Sequence, residues 1–148
     1  MKRRKGREIA LQILYQKETA QIPIHEAISN YKNYFGVKDD EILDFAQELA
    51  LGVDENIEFI DNIIKKYIPS SWPLERLNLT DKNILRLAIY EMFFRPDIPE
   101  IVSINEAIEL AKLYGTDDSP AFINGVLDNI YKKEIKIKVE DHKGDEKI

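Results

Sequence analysis

Lys2, Arg3, Arg4, Lys5 and Arg7 place five cations within six positions, with no acid among them. Such a run is a compact clamp for phosphates. Guanidinium forks match phosphate oxygens two at a time, and ammonium groups add point charge. RNA suits it better than DNA, because arginine-rich segments order on folded or single-stranded RNA. Without a partner the same run is a solvated terminus, and the five residues alone weigh equally for either reading. Single-stranded RNA also needs stacking faces, for which Tyr15, Tyr67, Tyr114 and Phe122 are candidates. Each taken alone is better explained by packing. Phe122 stands apart, because it falls in the first turn of an expected helix just after Asp117-Asp118-Ser119. The free backbone amides of such a turn can receive a base or a phosphate.

No reaction centre is visible. The chain has no nucleophile elbow, phosphate loop, dinucleotide glycine pattern or HExxH. It has no Cys, which removes disulfides, thiolate zinc sites, iron–sulfur clusters and a thiol nucleophile together. The two His, His25 and His142, are too far apart for a local ligand pair, and the Glu-x-x-His pairs of a di-iron bundle are missing. Glu91, Glu106 and Glu109 read as solvated or capping carboxylates. The expectation is a protein that is not an enzyme and needs no metal or cofactor. Net charge is −6, yet the first seven residues carry +5, which leaves −11 for the remainder. Residues 39 to 61 hold nine acids and no Lys or Arg. A polyanion-facing end on a repelling body orients an approaching partner. No apolar run approaches a membrane span and the basic start leads into Glu8 rather than an apolar core, so a cytoplasmic protein without membrane attachment is expected.

These residues must be positioned by helices, since a 3.6-residue period dominates the 148-residue chain. With 44% apolar and 32% charged residues it has the composition of one globular domain. The spacing predicts a first helix from about Arg4 with Ile9, Ala10, Ile13 and Leu14 on one face. A short helix follows Pro23 and ends at Gly36. One long helix then carries the stripe Ile42, Ala46, Leu49, Val53, Ile57, Ile60, Ile64 and Tyr67, with a bend at Gly52. Pro69 and Pro73 bracket a turn around Trp72, and 74–79 has no clear pattern. Thr80 reads as the N-cap of a central helix, Asp81–Phe94. Ser103 and Glu106 form a capping box that opens the next helix. Ser119-Pro120 reads as N-cap and first-position proline of the last, in which Gly125 permits a close crossing. The whole is all-α with six or seven helices. The organisation is a helical domain over 1–133, with a basic arm at 1–7 and a charged, flexible tail at 134–148 that includes a short extended piece at 135–139.

Three stretches together resemble one family: Leu85-Arg86-Leu87-Ala88-Ile89-Tyr90-Glu91, then Ile104-Asn105-Glu106-Ala107-Ile108-Glu109-Leu110-Ala111-Lys112, then Phe122-Ile123-Asn124-Gly125-Val126-Leu127-Asp128. With Arg3–Glu8 and Ala10–Tyr15 ahead of them, residues 3 to 131 resemble the bacterial NusB family of transcription antitermination factors. The resemblance implies two small helical bundles packed together. It also implies binding of single-stranded boxA RNA in ribosomal RNA leaders jointly with NusE, a small-subunit ribosomal protein, within an RNA polymerase antitermination complex. Neither catalysis nor a cofactor is implied. The family's basic arm maps onto Arg3, Arg4, Lys5 and Arg7, with Lys2 extending it. Lys5 stands where Arg is usual, Gly6 where a helix former is common, and Ala121 where a basic residue often precedes the stacking aromatic. Phe122 is the base-stacking position with Asp118 beside it, and Tyr67 matches an RNA-side tyrosine. Tyr15 and Asp81 match positions facing NusE.

Two rivals differ in class. One is a protein adapter whose acidic face and apolar grooves bind other proteins while the arm is inert. The other is the RNA-guiding domain of a ribosomal RNA cytosine methyltransferase, against which the missing glycine-rich donor loop weighs. A monomer or weak homodimer is expected in solution.

Overall fold

The computed structural model describes residues 1–136. Seven α-helices follow one another: α1 Lys2–Ala20, α2 Ile24–Phe35, α3 Asp40–Glu55, α4 Ile57–Tyr67, α5 Leu79–Phe94, α6 Glu100–Tyr114 and α7 Ser119–Ile130. A 3-10 turn, Leu74–Arg76, precedes α5, and a π-helical turn, Tyr131–Lys136, follows α7. There is no strand among the described residues. Helices α1–α3 pack as one bundle and α4–α7 as a second, with α5 lying against α1 and α3 as well as α4, α6 and α7. Its central place explains why Ile84, Leu85, Leu87, Ala88 and Ile89 are all buried: a helix touched on several sides is apolar over most of its girth.

Two glycines set how closely the helices meet. A Cβ at Gly52 would stand 2.2 Å from the Tyr90 ring, so α3 can lie against α5 only with a glycine there. A Cβ at Gly6 would stand 2.7 Å from Cδ2 of Phe45 on α3. Gly6 therefore lets α3 approach α1 where a side chain would not fit. The helix α1 starts at Lys2, two residues earlier than the apolar period indicates.

Other boundaries also differ from the sequence expectation, each for a local reason. The long stripe is two helices, because the Asn56 side-chain amide donates to the Gly52 carbonyl at 2.8 Å and closes α3. The register survives the break, and Val53, Ile60 and Ile64 stay buried. Asn78, not Thr80, caps α5: its Oδ1 accepts from the Asp81 amide at 2.8 Å. Pro99 starts α6 a turn early, so Ser103 lies inside the helix and no capping box forms. Asp118 is the N-cap residue of α7, and the Ser119 hydroxyl instead accepts from the Thr116 amide at 2.9 Å. Gly125 is exposed with nothing near its missing Cβ, so it serves no helix crossing. Ile135 and Lys136 continue helically rather than extended, and the rest of the expected extended piece and tail lies outside the described residues. No helix among the described residues is long and apolar enough to cross a membrane.

Candidate nucleic-acid interface

The basic run divides. Arg7 is buried, and its Nε and Nη2 donate to Glu91 Oε2 and Oε1 at 2.8 and 2.7 Å. Ser103 Oγ adds a third donor to Glu91 at 3.0 Å. This closed set ties α1 to α5 and α6, and a buried charge with its full complement of partners is not free to meet a phosphate. Arg7 is therefore corrected from a phosphate contact to a structural residue. Glu91 is likewise corrected from a solvated carboxylate to a buried one. The sign was available in the sequence only as spacing, since Arg7 shares a face of α1 with Ala10, Leu11 and Leu14, which are buried.

The other four cations reach solvent, and each is held by a carboxylate of the body. Lys2 Nζ lies 2.8 Å from Glu41 and 3.3 Å from Asp39, contacts that raise its pKa, with the Glu41 hydrogen bond the larger cause. Arg3 Nη2 lies 3.4 Å from Asp97. Arg4 grips Glu106 of α6 with Nε and Nη2 at 2.9 and 3.2 Å. Lys5 lies 3.6 Å from Glu8. Arg3 also stands over the Phe45 ring at 5.4 Å. The arm is thus a preformed helical strip whose charges are partly balanced in place. Solvent-exposed pairs of this kind are weak and exchange readily for a phosphate.

A cleft of about 320 Å³ joins residues far apart in sequence: Trp72, Leu77, Asn78, Asp81, Asp118 and Phe122, closed by Thr116 and Ser119. The turn Thr116–Ser119 starts α7 and delivers Phe122, half-buried, into the cleft. Asp81 is buried there. Its Oδ2 accepts from Asn78 at 3.0 Å, while Oδ1 has no hydrogen-bond partner. The cleft therefore combines two aromatic faces with carboxylates that accept and never donate. It is built for the donor edge of a planar group, and its negative charge keeps phosphates at the rim. Trp72 was read from sequence only as part of a turn. Its signal was a lone Trp fixed between two prolines, and it is half exposed in the structure.

Tyr15 lines a separate cleft of about 270 Å³ with Leu11, Gln12, Thr80 and Tyr114. Adjacent residues of the α5 start divide the two clefts, Thr80 lining one and Asp81 the other. Asp81, matched above to the partner side, belongs by position to the Phe122 cleft. Tyr67 does not line that cleft. Its hydroxyl donates to Glu134 at 2.7 Å, and burial followed by this bond pushes its pKa up to about 12. No group of acids and His among the described residues could hold a metal ion.

Residues 4–132 match the NusB family. The transcription antitermination protein NusB of Thermodesulfovibrio yellowstonii is 48% identical over 145 residues, covering 91% of this chain and 95% of that protein. The structure of T. maritima NusB superposes with a TM-score of 0.81 at 37% identity, over 92% of this chain and 94% of that one. A crystal structure of the antitermination factors NusB and NusE in complex with dsRNA also matches. Its TM-score is 0.81 at 27% identity, over 88% of this chain and 96% of that chain.

Proposed function

The chain belongs to the NusB family, and from that premise we propose that it is a transcription antitermination factor, acting in the cytoplasm on ribosomal RNA leader transcripts. It binds their boxA element together with NusE and so contributes to an RNA polymerase complex that resists termination. The observation that carries this reading is the pairing of the two clefts across Thr80 and Asp81, one aromatic and acceptor-rich, the other centred on Tyr15. A protein seated on Tyr15 then borders an RNA base seated on Phe122. A relative solved with NusE and dsRNA supports the same assignment of partners.

The roles follow from the chemistry of each group. Lys2, Arg3, Arg4 and Lys5 neutralise phosphates along α1. Phe122 and Trp72 stack a base, and Asp118 and Asp81 accept from its exocyclic donors. Tyr15 makes the NusE contact, which Thr80 and Tyr114 complete. Tyr67 stays at the edge of the RNA path as a ring held by Glu134 rather than as a hydroxyl donor. The protein supplies a surface and no reaction, so its effect on the polymerase passes through assembly alone.

The test is equilibrium binding of a short boxA RNA and a scrambled RNA, each with and without NusE. Tighter boxA binding in the presence of NusE, lost in Phe122→Ala, is the expected result. Equal binding of both RNAs under both conditions would overturn the reading and favour a protein adapter.

A further inference from the structure

A groove of about 630 Å³ lies between α1 and α2, sharing Gln12 with the Tyr15 cleft and apart from the Phe122 cleft. Its floor is a run of rings on the last turn of α2. Tyr31 and Phe35 stack with centroids 4.5 Å apart, and Tyr34 meets Phe35 edge-on at 4.9 Å. Tyr34 is 83% exposed and Phe35 59%, unusual for large rings with no partner on them. The polar lining is made of carboxamides: Gln12 and Gln16 on α1, Asn30 and Asn33 on α2. Among the described residues, those of Gln16, Asn30 and Asn33 have no hydrogen-bond partner. A carboxamide offers a donor beside an acceptor, the pattern that reads the edge of a base.

Charge decides what covers these rings. The four exposed cations of the arm are each held by a carboxylate. Lys32 and Lys38, which flank Tyr34 and Phe35 in sequence, form no ion pair among the described residues. Lys32 and Lys38 lie outside the groove's lining but within three residues of Phe35, and free cations so placed, with exposed rings and uncharged amides, suit a chain of phosphates carrying planar bases. The α1 wall of the groove lies on the same helix face as Lys5 of the arm. Lys5, Gln12 and Gln16 are spaced by seven and four along α1 and share one face, so Gln12 lies about 10 Å from Lys5 along the helix.

We propose that the α1–α2 groove is a second site for single-stranded RNA, in which Tyr34 and Phe35 stack a base, the carboxamides contact its edge, and Lys32 and Lys38 hold its phosphates. The strand is the one anchored on the basic arm, so the site extends the RNA path beyond the Phe122 cleft. This inference rests on the RNA-binding reading above.

The test compares a short boxA RNA with the same RNA extended by an unstructured tract, both in the presence of NusE. Tyr34→Ala and Lys32→Ala/Lys38→Ala are suited to it, because all three side chains are exposed and the fold is checked by circular dichroism. Tyr34→Ala is expected to weaken binding of the extended RNA by roughly 5- to 100-fold, with the short RNA unaffected. The lysine pair should lower its salt slope by about 1.4. A photoreactive 4-thiouridine in the extension should crosslink to the peptide carrying Tyr34. Unchanged affinity for the extended RNA, with no crosslink while Phe122→Ala still abolishes boxA binding, overturns the second site and leaves the main reading intact. Loss of NusE affinity rather than RNA affinity in Tyr34→Ala overturns it in favour of a protein contact. Failure of the unaltered protein to bind either RNA overturns both.

Discussion

The salt dependence of RNA binding should count four cations, not five. Each phosphate neutralised on a single strand contributes about 0.7 to the slope of log affinity against log salt. Lys2, Arg3, Arg4 and Lys5 reach solvent and predict a slope of about −2.8, or roughly a 50-fold loss of affinity over a fourfold rise in salt. A fifth contact from Arg7 would steepen it to about −3.5. Arg4→Ala should reduce the slope to about −2.1, because it removes one of the four. Arg7→Ala is a poor test, since it leaves Glu91 buried and unpaired at a cost of about 3–5 kcal/mol and endangers the fold. Replacing both partners, as Arg7→Met with Glu91→Leu, removes the charges together and fills the space with apolar atoms, a change that is often neutral. That double variant should fold, by circular dichroism and thermal midpoint, and keep the unaltered slope in a fluorescence titration at several salt concentrations. A slope near −3.5 that falls in the double variant would refute the burial argument, because it would mean that Arg7 leaves its pocket to meet RNA.

Glu106→Gln should tighten RNA binding by roughly two- to five-fold at low salt, because Arg4 no longer exchanges a carboxylate for the phosphate; equal affinity in the same titration would mean that the pair is already open in solution. Gly52→Ala should lower the thermal midpoint sharply, at a cost of about 1–3 kcal/mol or more, since its methyl would overlap the Tyr90 ring. Stability should also fall on acidification through the ordinary carboxylate value of 3.8. Backbone donation from Ile42 holds Asp39 below that value, and the Arg95 guanidinium holds Asp97 far below it. Both therefore contribute stability above 3.8 that is lost as pH drops through their lower folded values. Asp97→Asn should flatten this acid limb in thermal scans at stepped pH.

The periodic parts of the fold were legible because helix faces are written locally. The stripes of α1, α4, α5 and α7 name their own core residues, and most of those are buried as expected. What escaped the sequence was each feature decided by a partner distant along the chain. Arg7 looks like its neighbours until Glu91, 84 residues away, is brought beside it. Gly6 reads as a weak point in a helix until Phe45 occupies the space of its missing side chain. Ser103 and Glu106 have capping-box spacing, but Pro99 starts the helix earlier and both side chains turn to tertiary partners, Glu91 and Arg4. The Phe122 cleft was half legible. Phe122 stands out by its place just after Asp117-Asp118-Ser119 and its role beside Asp118 comes from the resemblance, whereas Trp72 and the unpartnered Asp81 oxygen required the packing of α5 against the loop before it.

That oxygen bears on how two partners act through one small domain. An acceptor buried without a donor costs about 1–3 kcal/mol, and a base edge that supplies the donor recovers this on binding. Asp81 sits in the first turn of α5, held by the reciprocal bonds to Asn78, and Thr80 beside it lines the Tyr15 cleft. A protein that packs on Thr80 therefore fixes the same turn that aims Asp81 at the RNA. On the proposed reading, NusE need make no direct contact with the base to favour its binding. It need only restrict a helix start whose carboxylate is committed on one oxygen and buried without a partner on the other. Coupling of this kind is reciprocal, so RNA in the Phe122 cleft should tighten NusE binding by the same factor.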